Sequence, residues 1–220
     1  MTTATGSRQL ILDRIKKATA DSAKPAEFRT EVYEALHRPY VHQGQRSHKE
    51  TIELLVERLR EYDAGVVETV PGCLPAAIAA QLAESGRKVF VVPPGLPSEW
   101  LAAGFEFRTD NGLTHAAIEA VDGVVTAAFC AVADSGTIVL HHSATEGRRV
   151  ITLLPDFHLC ILRTSQVVET LPEYFARCTT PPALVTTISG PSATADIEMT
   201  RIKGVHGPRF LQVILVHDEV

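Results

Sequence analysis

Residues 64–92 of the chain read AGVVETVPGCLPAAIAAQLAESGRKVFVV. Two runs rich in β-branched residues, 65–70 and 88–92, enclose an Ala-rich segment, 75–85, which is followed by Gly86. This order is typical of a strand, a helix that ends at a glycine, and a second strand. Because strands that alternate with helices usually pair in parallel, the stretch predicts an α/β fold.

The same alternation continues through the rest of the chain. Short apolar runs predict further strands at 123–129, 137–141, 159–163, 184–188 and 210–216. Helices are expected at 98–103, at 113–120 and from Ser165 to about Arg177. Since several of these strands are apolar at consecutive positions, we expect a mostly parallel sheet that is flanked by helices on both faces.

The first 62 residues follow a different pattern, without a strand signal. Helices are predicted at 8–20, at 25–36 and from Ser47 onward. Ser47 and Glu50 have the spacing of a capping box, in which each side chain accepts a hydrogen bond from the other residue's backbone. We therefore divide the chain into an N-terminal helical arm, residues 1–62, and an α/β domain, residues 63–220. The apolar edge of the arm also permits a homodimer.

The composition argues against two classes of partner. The chain carries a net charge of −5 and only 6% aromatic residues, whereas nucleic-acid surfaces need a positive field and aromatic stacking platforms. Its apolar runs are too short to span a bilayer, and its first residues do not resemble a secretory signal. We therefore expect a cytoplasmic protein that binds neither nucleic acid nor membranes.

The four cysteines, at positions 73, 130, 160 and 178, form no C-x-x-C pair. Zinc sites and iron–sulfur clusters are held by closely spaced cysteines, so we expect free thiols and no metal site in this chain alone. The sequence also lacks the glycine-rich fingerprints of dinucleotide-binding and P-loop proteins. These patterns predict that the chain itself binds no cofactor.

Three polar loops are candidates for a ligand site, because ligands of open α/β sheets bind beside strand ends. The first loop, residues 133–137, reads ADSGT. Gly136 allows a tight turn, while Asp134, Ser135 and Thr137 offer short polar side chains and backbone donors. Alternatively, these polar groups only form hydrogen bonds to the backbone of their own loop.

The second loop, residues 189–198, reads SGPSATADIE. A glycine and a proline that follow a strand predict the start of a helix, whose free N–H groups near Ser192 to Thr194 would cradle an anion. Asp196 and Glu198 would diverge by about 200° on such a helix, so a joint acid/base role requires the helix to end there. Alternatively, both carboxylates only stabilise the helix start.

The third loop, residues 204–208, reads GVHGP. Its glycines would let the imidazole of His206 approach a ligand closely, and an imidazole titrates near neutral pH. Isolated histidines are also common as purely structural residues, so this loop alone does not decide the site.

In this order, the three loops and the strand at 210–216 resemble the LUD-domain family, of the lactate utilisation protein C type. Residues 7–15, SRQLILDRI, also resemble the N-terminal helix of that family. The resemblance covers residues 8–218 and is strongest from Asp122 onward. It implies a fold similar to the NagB/RpiA/CoA-transferase superfamily, in agreement with the α/β alternation.

The resemblance further implies a part in the oxidation of L-lactate to pyruvate, beside two iron–sulfur partners, lactate utilisation proteins A and B. Because this chain lacks a cluster motif, we interpret it as a non-redox accessory or regulatory subunit, with the iron–sulfur clusters on its partners. A small anionic ligand would be bound by Ser135, Gly136, Thr137, Gly190, Ser192, Thr194, Asp196 and His206. Ala193 stands where the family commonly has a basic residue, which would weaken this binding if the basic group contacts the anion.

Two other functions stay open on the sequence alone. One is a transferase or an ATP-dependent cyclo-ligase-like enzyme that acts on a CoA or folate-type substrate. Asp134 or Glu198 would then be the carboxylate nucleophile, and His206 is a further catalytic candidate. The other is a pure interaction subunit whose polar loops are architectural. The residues do not decide whether the chain catalyses a reaction on its own.

Overall fold

The computed structural model describes residues 5–20, 31–37, 39–194, 202–203 and 206–218. The chain divides into two compact units, Met1–Tyr40 and Val41–Val220. In the first unit, helix α1 spans Thr5–Ala20, and its apolar side chains Leu10, Ile11 and Ile15 are more than half exposed. Residues 31–34 are also helical, whereas the earlier part of the helix predicted at 25–36 lies outside the described residues.

The second unit contains the remaining helices and all the described strands. Its helices are α2 (His48–Glu61), α3 (Leu74–Glu84), α4 (His115–Glu119) and α5 (Leu171–Arg177). Its strands are β1 (Gly65–Thr69), β2 (Val89–Val92), β3 (Glu106–Thr109), β4 (Gly123–Ala127), β5 (Cys130–Val132), β6 (Thr137–Leu140), β7 (Phe157–Arg163), β8 (Val167–Val168), β9 (Thr186–Ile188), β10 (Ala193–Thr194), β11 (Ile202–Lys203) and β12 (Phe210–Val216). None of the helices in the described part of the chain is long and apolar enough to cross a bilayer.

Within the described ranges, six strands form a parallel sheet in the order β1-β12-β7-β4-β2-β3. The central strands β7 and β12 pair along their whole length, from Phe157 beside Phe210 to Arg163 beside Val216. Both are nearly continuous apolar runs because side chains pack against both faces of the sheet. This arrangement confirms the predicted α/β fold with a mostly parallel sheet.

A smaller sheet is formed by four of the other described strands, in the order β8-β5-β6-β9. Strand β6 runs antiparallel to β5 and β9, whereas β8 runs parallel to β5. Strands β10 and β11 form a separate antiparallel pair, in which Ala193 lies opposite Lys203. The second unit therefore combines a parallel sheet with a smaller, mostly antiparallel one.

Helix α2 belongs to the core of the second unit. Ser47 and Glu50 form the predicted capping box at its start. Its side chains Leu55 and Leu59 are buried among apolar residues of β7, β12 and the smaller sheet. The compact units consequently divide after residue 40, earlier than the division predicted after residue 62, because the apolar face of α2 is buried against the sheets.

Helix α3 covers the opposite face of the parallel sheet. Its residues Ile78 and Leu82 are fully buried, in one cluster with Phe90 of β2 and Ile161 of β7. The strand, helix and strand predicted from residues 64–92 are therefore confirmed.

Two predicted elements have different bounds between residues 123 and 177. The strand predicted at 123–129 is present but ends at Ala127, and the chain enters the smaller sheet at Cys130. The helix predicted from Ser165 is shortened to Leu171–Arg177. The two valines before it are buried and pair with β5 as strand β8, which is the conformation that β-branched side chains favour.

Candidate functional site

A cavity of about 270 Å³ lies beside the end of β9 and the starts of β7 and β12. It is lined by Thr152, Leu153, His158, residues 186–192, residues 206–208 and Leu211. His158 and Leu211 are the second residues of β7 and β12. The cavity thus includes the amino ends of the central strands, whereas ligands of parallel sheets usually bind at the carboxyl ends.

The second and third predicted loops meet at this cavity. The backbone N–H of His206 donates to Ser192 Oγ at 2.9 Å. The backbone N–H of Ser192 in turn donates to the carbonyl oxygen of Pro208 at 2.9 Å. These two bonds hold the loops together, although residues 195–201 between them lie outside the described part of the chain.

Gly190 has a conformation that only glycine adopts easily. Its φ is +81°, and a Cβ atom at this position would lie 2.5 Å from Cβ of Tyr62, the residue after α2. The missing side chain lets the turn after β9 pack directly against the end of α2. Gly190 therefore positions the loop rather than offering a side chain to a ligand.

The first predicted loop does not line the cavity itself but contacts one of its lining residues, Ser189. Thr137 Oγ1 lies 2.8 Å from Ser189 Oγ and 2.8 Å from Ser135 Oγ, so three hydroxyl groups are joined in a row. Gly136, with a φ of +59°, packs against Arg58 of α2 in the way that Gly190 packs against Tyr62. Ser189 lines the cavity, whereas residues 135–137 contact it only through Ser189.

Asp134, a candidate nucleophile, is engaged elsewhere. Its Oδ1 accepts a hydrogen bond from Arg46 Nη1 at 3.1 Å, and the same nitrogen donates to Glu169 Oε1 at 2.8 Å. Asp134 is not among the residues that line the cavity. The other two acidic candidates, Asp196 and Glu198, lie outside the described residues.

The helix start predicted at Ser192–Thr194 is wrong. Ala193 and Thr194 are extended as β10 and pair with β11, which engages their backbone in a two-stranded ladder. The N–H of Ser192 is already bonded to Pro208. In the described part of this loop an anion therefore has no helix dipole to bind to, and it would rely on side-chain hydroxyl groups and on the neighbouring loop.

His158 is a cavity residue that the sequence interpretation missed. Its side chain is only 1% exposed, and Nε2 lies 2.8 Å from Thr126 Oγ1 of β4. Burial lowers the pKa of His158 to about 4, so the ring is neutral at ordinary pH. A histidine within an otherwise apolar strand was the available signal, because a polar residue buried on a sheet needs a partner.

A second histidine orients a hydroxyl group that belongs to a lining residue. His142 Nδ1 lies 2.9 Å from the carbonyl oxygen of Gly147, which can only accept, so Nδ1 carries the hydrogen. In the neutral ring, Nε2 must then accept from Thr186 Oγ1, 2.8 Å away. The hydroxyl hydrogen of Thr186 is then used by His142, so its oxygen can only accept a hydrogen bond from a further partner.

The lining has little fixed charge. The described lining residues offer hydroxyl and imidazole groups, and none of them is Lys, Arg, Asp or Glu. In the described part of the chain, no three His, Cys, Asp or Glu side chains are grouped to hold a metal ion. Polar ligand groups would be bound here by hydrogen bonds, and a doubly charged group would meet no permanent counter-charge among these residues.

The fold and the cavity define an α/β protein in which residues of a parallel sheet, of a smaller sheet and of their loops line a hydrogen-bonding pocket. The family model of the LUD domain matches residues 46–216. The chain belongs to the LUD domain family, as its loop motifs led us to expect.

Named relatives and a solved structure agree with this assignment. Lactate utilization protein C of Deinococcus radiodurans is 39% identical over 182 residues, which cover 81% of this chain and 85% of that protein. Lactate utilization protein C of Geobacillus thermodenitrificans is 30% identical, covering 78% of this chain and 80% of that protein. The crystal structure of a DUF162 family protein from Deinococcus radiodurans, 34% identical, superposes with a TM-score of 0.64 and covers 78% of this chain and 99% of that one.

Proposed function

We propose that this chain is a cytoplasmic, non-redox accessory or regulatory subunit of a system that oxidises L-lactate to pyruvate, and that it binds a small anionic ligand in the cavity. Its partners are the iron–sulfur proteins A and B of lactate utilisation, which carry the electrons. The names of the relatives support a role in lactate utilisation, since two relatives of that name match 81% and 78% of this chain.

The proposal of ligand binding rests on the two loops that are hydrogen-bonded to each other at the cavity. Ser192 Oγ accepts from the backbone of His206, and the hydrogen of its own hydroxyl group is used in no bond among the described residues. That hydrogen is available to an oxygen of a ligand. Because a second bond fixes Ser192 to Pro208, the donor is held in place before a ligand arrives, which lowers the entropic cost of binding.

The cysteines support a non-redox role. Burial raises the pKa of Cys130 to about 11 and that of Cys160 to about 12. Both thiols therefore stay protonated at neutral pH in the chain as described. Together with the lack of cluster spacing in the sequence, this supports our proposal that the partner proteins carry the electrons.

Reconstitution of the lactate-oxidising system tests the proposal. The purified chain is mixed with proteins A and B from the same organism, and the L-lactate-dependent reduction of an artificial electron acceptor is measured. We expect no oxidation by the chain alone, and faster oxidation by A and B together when the chain is present. If A and B alone reach the full rate and do not bind the chain, the proposal is wrong.

The enzyme alternative has less support. Asp134, its candidate nucleophile in the described part of the chain, is bonded to Arg46 and does not line the cavity.

A further inference from the structure

We propose that this chain forms a homodimer in which helix α1 of each copy docks into an acidic groove of the other copy. The groove is lined by residues of helix α2 and of strand β1, and it shares no lining residue with the cavity. The inference therefore concerns a second surface of the molecule, and it holds whatever ligand the cavity binds.

The groove, about 560 Å³ in volume, combines an apolar floor with an acidic rim. Ile52 and Val56 of α2 are buried and form the floor. The exposed residues of the rim are four glutamates and one arginine, namely Glu53, Glu57, Arg60 and Glu61 of α2 and Glu68 of β1. Four negative charges and one positive charge give the rim a net charge of −3, so we expect it to attract a basic partner.

Glu57 and Glu53 are the rim charges most available to a partner. Glu57 forms no hydrogen bond or ion pair with a described residue. Glu53 lies 3.8 Å from Lys49 in a highly exposed pair, and such pairs contribute little energy. The other two rim carboxylates have closer partners in the chain, Arg58 at 2.7 Å from Glu61 and His217 at 2.8 Å from Glu68. A basic side chain would therefore meet Glu53 and Glu57 first, one helical turn apart on α2.

Helix α1 has the opposite charge and an apolar surface in water. The side chains of Leu10, Ile11 and Ile15 are 59%, 57% and 53% exposed. The charged residues of the helix are four bases and one acid, namely Arg8, Arg14, Lys16, Lys17 and Asp13, with a net charge of +3. Because a helix of 16 residues is marginal in water without a packed apolar face, we expect a second surface to cover it.

Charge decides between two ways in which α1 could be covered by a second copy. Two α1 helices side by side would bring their net charges of +3 together, whereas the groove offers a net charge of −3. At 1.5 Å per residue, α1 is about 24 Å long and α2 is about 21 Å long. The two helices can therefore lie side by side along most of their length with opposite charges facing each other.

The open edge of the parallel sheet lies at the same groove. Among the described strands, β1 pairs only with β12, so its other side is an edge. Native proteins usually cover such an edge with a helix or a loop, or place charges on it. Glu68 of β1 lines the groove, so a helix that docks there lies against the edge. One contact would thus cover both the apolar surface of α1 and the edge of the sheet.

A reciprocal exchange of helices limits the assembly to two copies. Each copy has one α1 and one groove, and a two-fold axis lets both contacts form at once. Docking in one direction only would leave a free helix at one end and a free groove at the other, so longer chains of copies would grow with concentration. We therefore expect a closed dimer.

Light scattering after size-exclusion chromatography of the full chain tests the dimer. We expect twice the mass of one chain for the parent, and the mass of one chain for the groove variant, Glu53→Lys with Glu57→Lys. The control is Glu84→Lys with Glu119→Lys, which makes the same change in charge at exposed residues of α3 and α4 outside the groove and should stay dimeric. A monomeric parent, or a folded groove variant that stays dimeric, would overturn the proposal.

A mixing experiment tests whether α1 of one copy meets the groove of another. The helix variant, Arg14→Glu with Lys17→Glu, makes α1 net negative, and it should be monomeric by itself. In an equal mixture with the groove variant, the unchanged helix meets the unchanged groove, and the reversed helix meets the reversed groove. We expect the mixture to recover dimers. A helix variant that stays dimeric would overturn the role of α1, and a mixture that stays monomeric would overturn the contact between copies.

Discussion

The neutral imidazole of His158 links the cavity to the stability of the chain. Its ring bonds to Thr126, and the same hydroxyl group lies near the buried thiol of Cys160. Burial disfavours the protonated, charged form of this ring, and no carboxylate contributes to its pKa to offset that effect. His158, a residue that lines the cavity, is therefore also a source of acid sensitivity.

We expect the free energy of unfolding to fall as the pH decreases from about 6.5 to about 4. The unfolded chain takes up a proton on this histidine near pH 6.5, whereas the folded chain resists protonation until about pH 4. The full effect is on the order of 3 kcal/mol by linkage. Urea unfolding at a series of pH values measures it. His158→Gln should flatten this part of the profile, and equal slopes in the variant and the parent would contradict the assignment.

Gly190 provides a second test at the level of one residue. Alanine at this position would be strained by the positive φ and would place its Cβ 2.5 Å from Cβ of Tyr62. We expect Gly190→Ala to destabilise the chain by about 2 kcal/mol or more, measured by thermal or urea unfolding. Gly72→Ala is the control, because a Cβ at that position would meet no other atom within 4 Å. A loss of similar size at Gly72 would argue against this explanation.

The residues of the site were partly predictable. The loop motifs located Ser192 and His206, and the structure brings their loops to within hydrogen-bond distance. His158 was missed because a strand of consecutive apolar residues signals burial but not which way a single polar residue faces. Asp134 was misplaced because its partner, Arg46, lies 88 residues away in the chain, and such a distant contact leaves no local pattern.

At the level of elements, α2 is the common support of the two glycine turns. Gly136 packs against Arg58, and Gly190 packs against Tyr62, both at the carboxyl end of this helix. Its apolar side chains fill the core beneath the sheets at the same time. A shift of α2 would therefore move the loops of the cavity together.

The cap of α2 can be weakened without touching the cavity. Ser47→Ala removes the side chain that accepts from the backbone of Glu50, and we expect a loss of about 1 kcal/mol in the free energy of unfolding. Ser47→Thr retains a hydroxyl acceptor and should lose much less. Urea unfolding of both variants checks the prediction, and equal losses for Ala and Thr would show that the cap bond is not the cause.

The elements themselves were predicted well where the pattern was local. The strand, helix and strand of residues 64–92 and the strand at 210–216 were found. The helix expected at Ser192 was not, because a glycine followed by a proline starts turns of several kinds and the pairing with β11 decided among them. Strand β8 was likewise set by its pairing partner rather than by its own two residues.

At the level of the whole molecule, strand β12 joins the edge strand β1 to the rest of the parallel sheet. This strand lies between β1 and β7 and pairs with both in parallel. Its residues Val213 and Ile214 are fully buried, one in each of the two cores that flank the sheet. Removing it would separate the edge strand β1 from the other four strands.

We expect a chain that ends at Arg209 not to fold, because β1 would lose the only described strand that it pairs with, β7 would have an unpaired edge, and both cores would lose apolar side chains. Circular dichroism during heating should show no cooperative transition. A chain that ends at Asp218 keeps the whole strand and is the control, which should unfold cooperatively. Cooperative unfolding of the shorter chain would contradict the role given to β12.

The central place of β12 also has a consequence for synthesis on the ribosome. About 50 residues separate the end of β7 from the end of β12, which takes roughly 3 to 10 seconds at ordinary translation rates. During that delay the nascent chain presents two hydrophobic strand edges with no partner, a state that chaperones bind and that invites aggregation. Residues 206–211 of the cavity emerge in the same last stretch, so a ligand can stabilise the protein only once the sheet has closed.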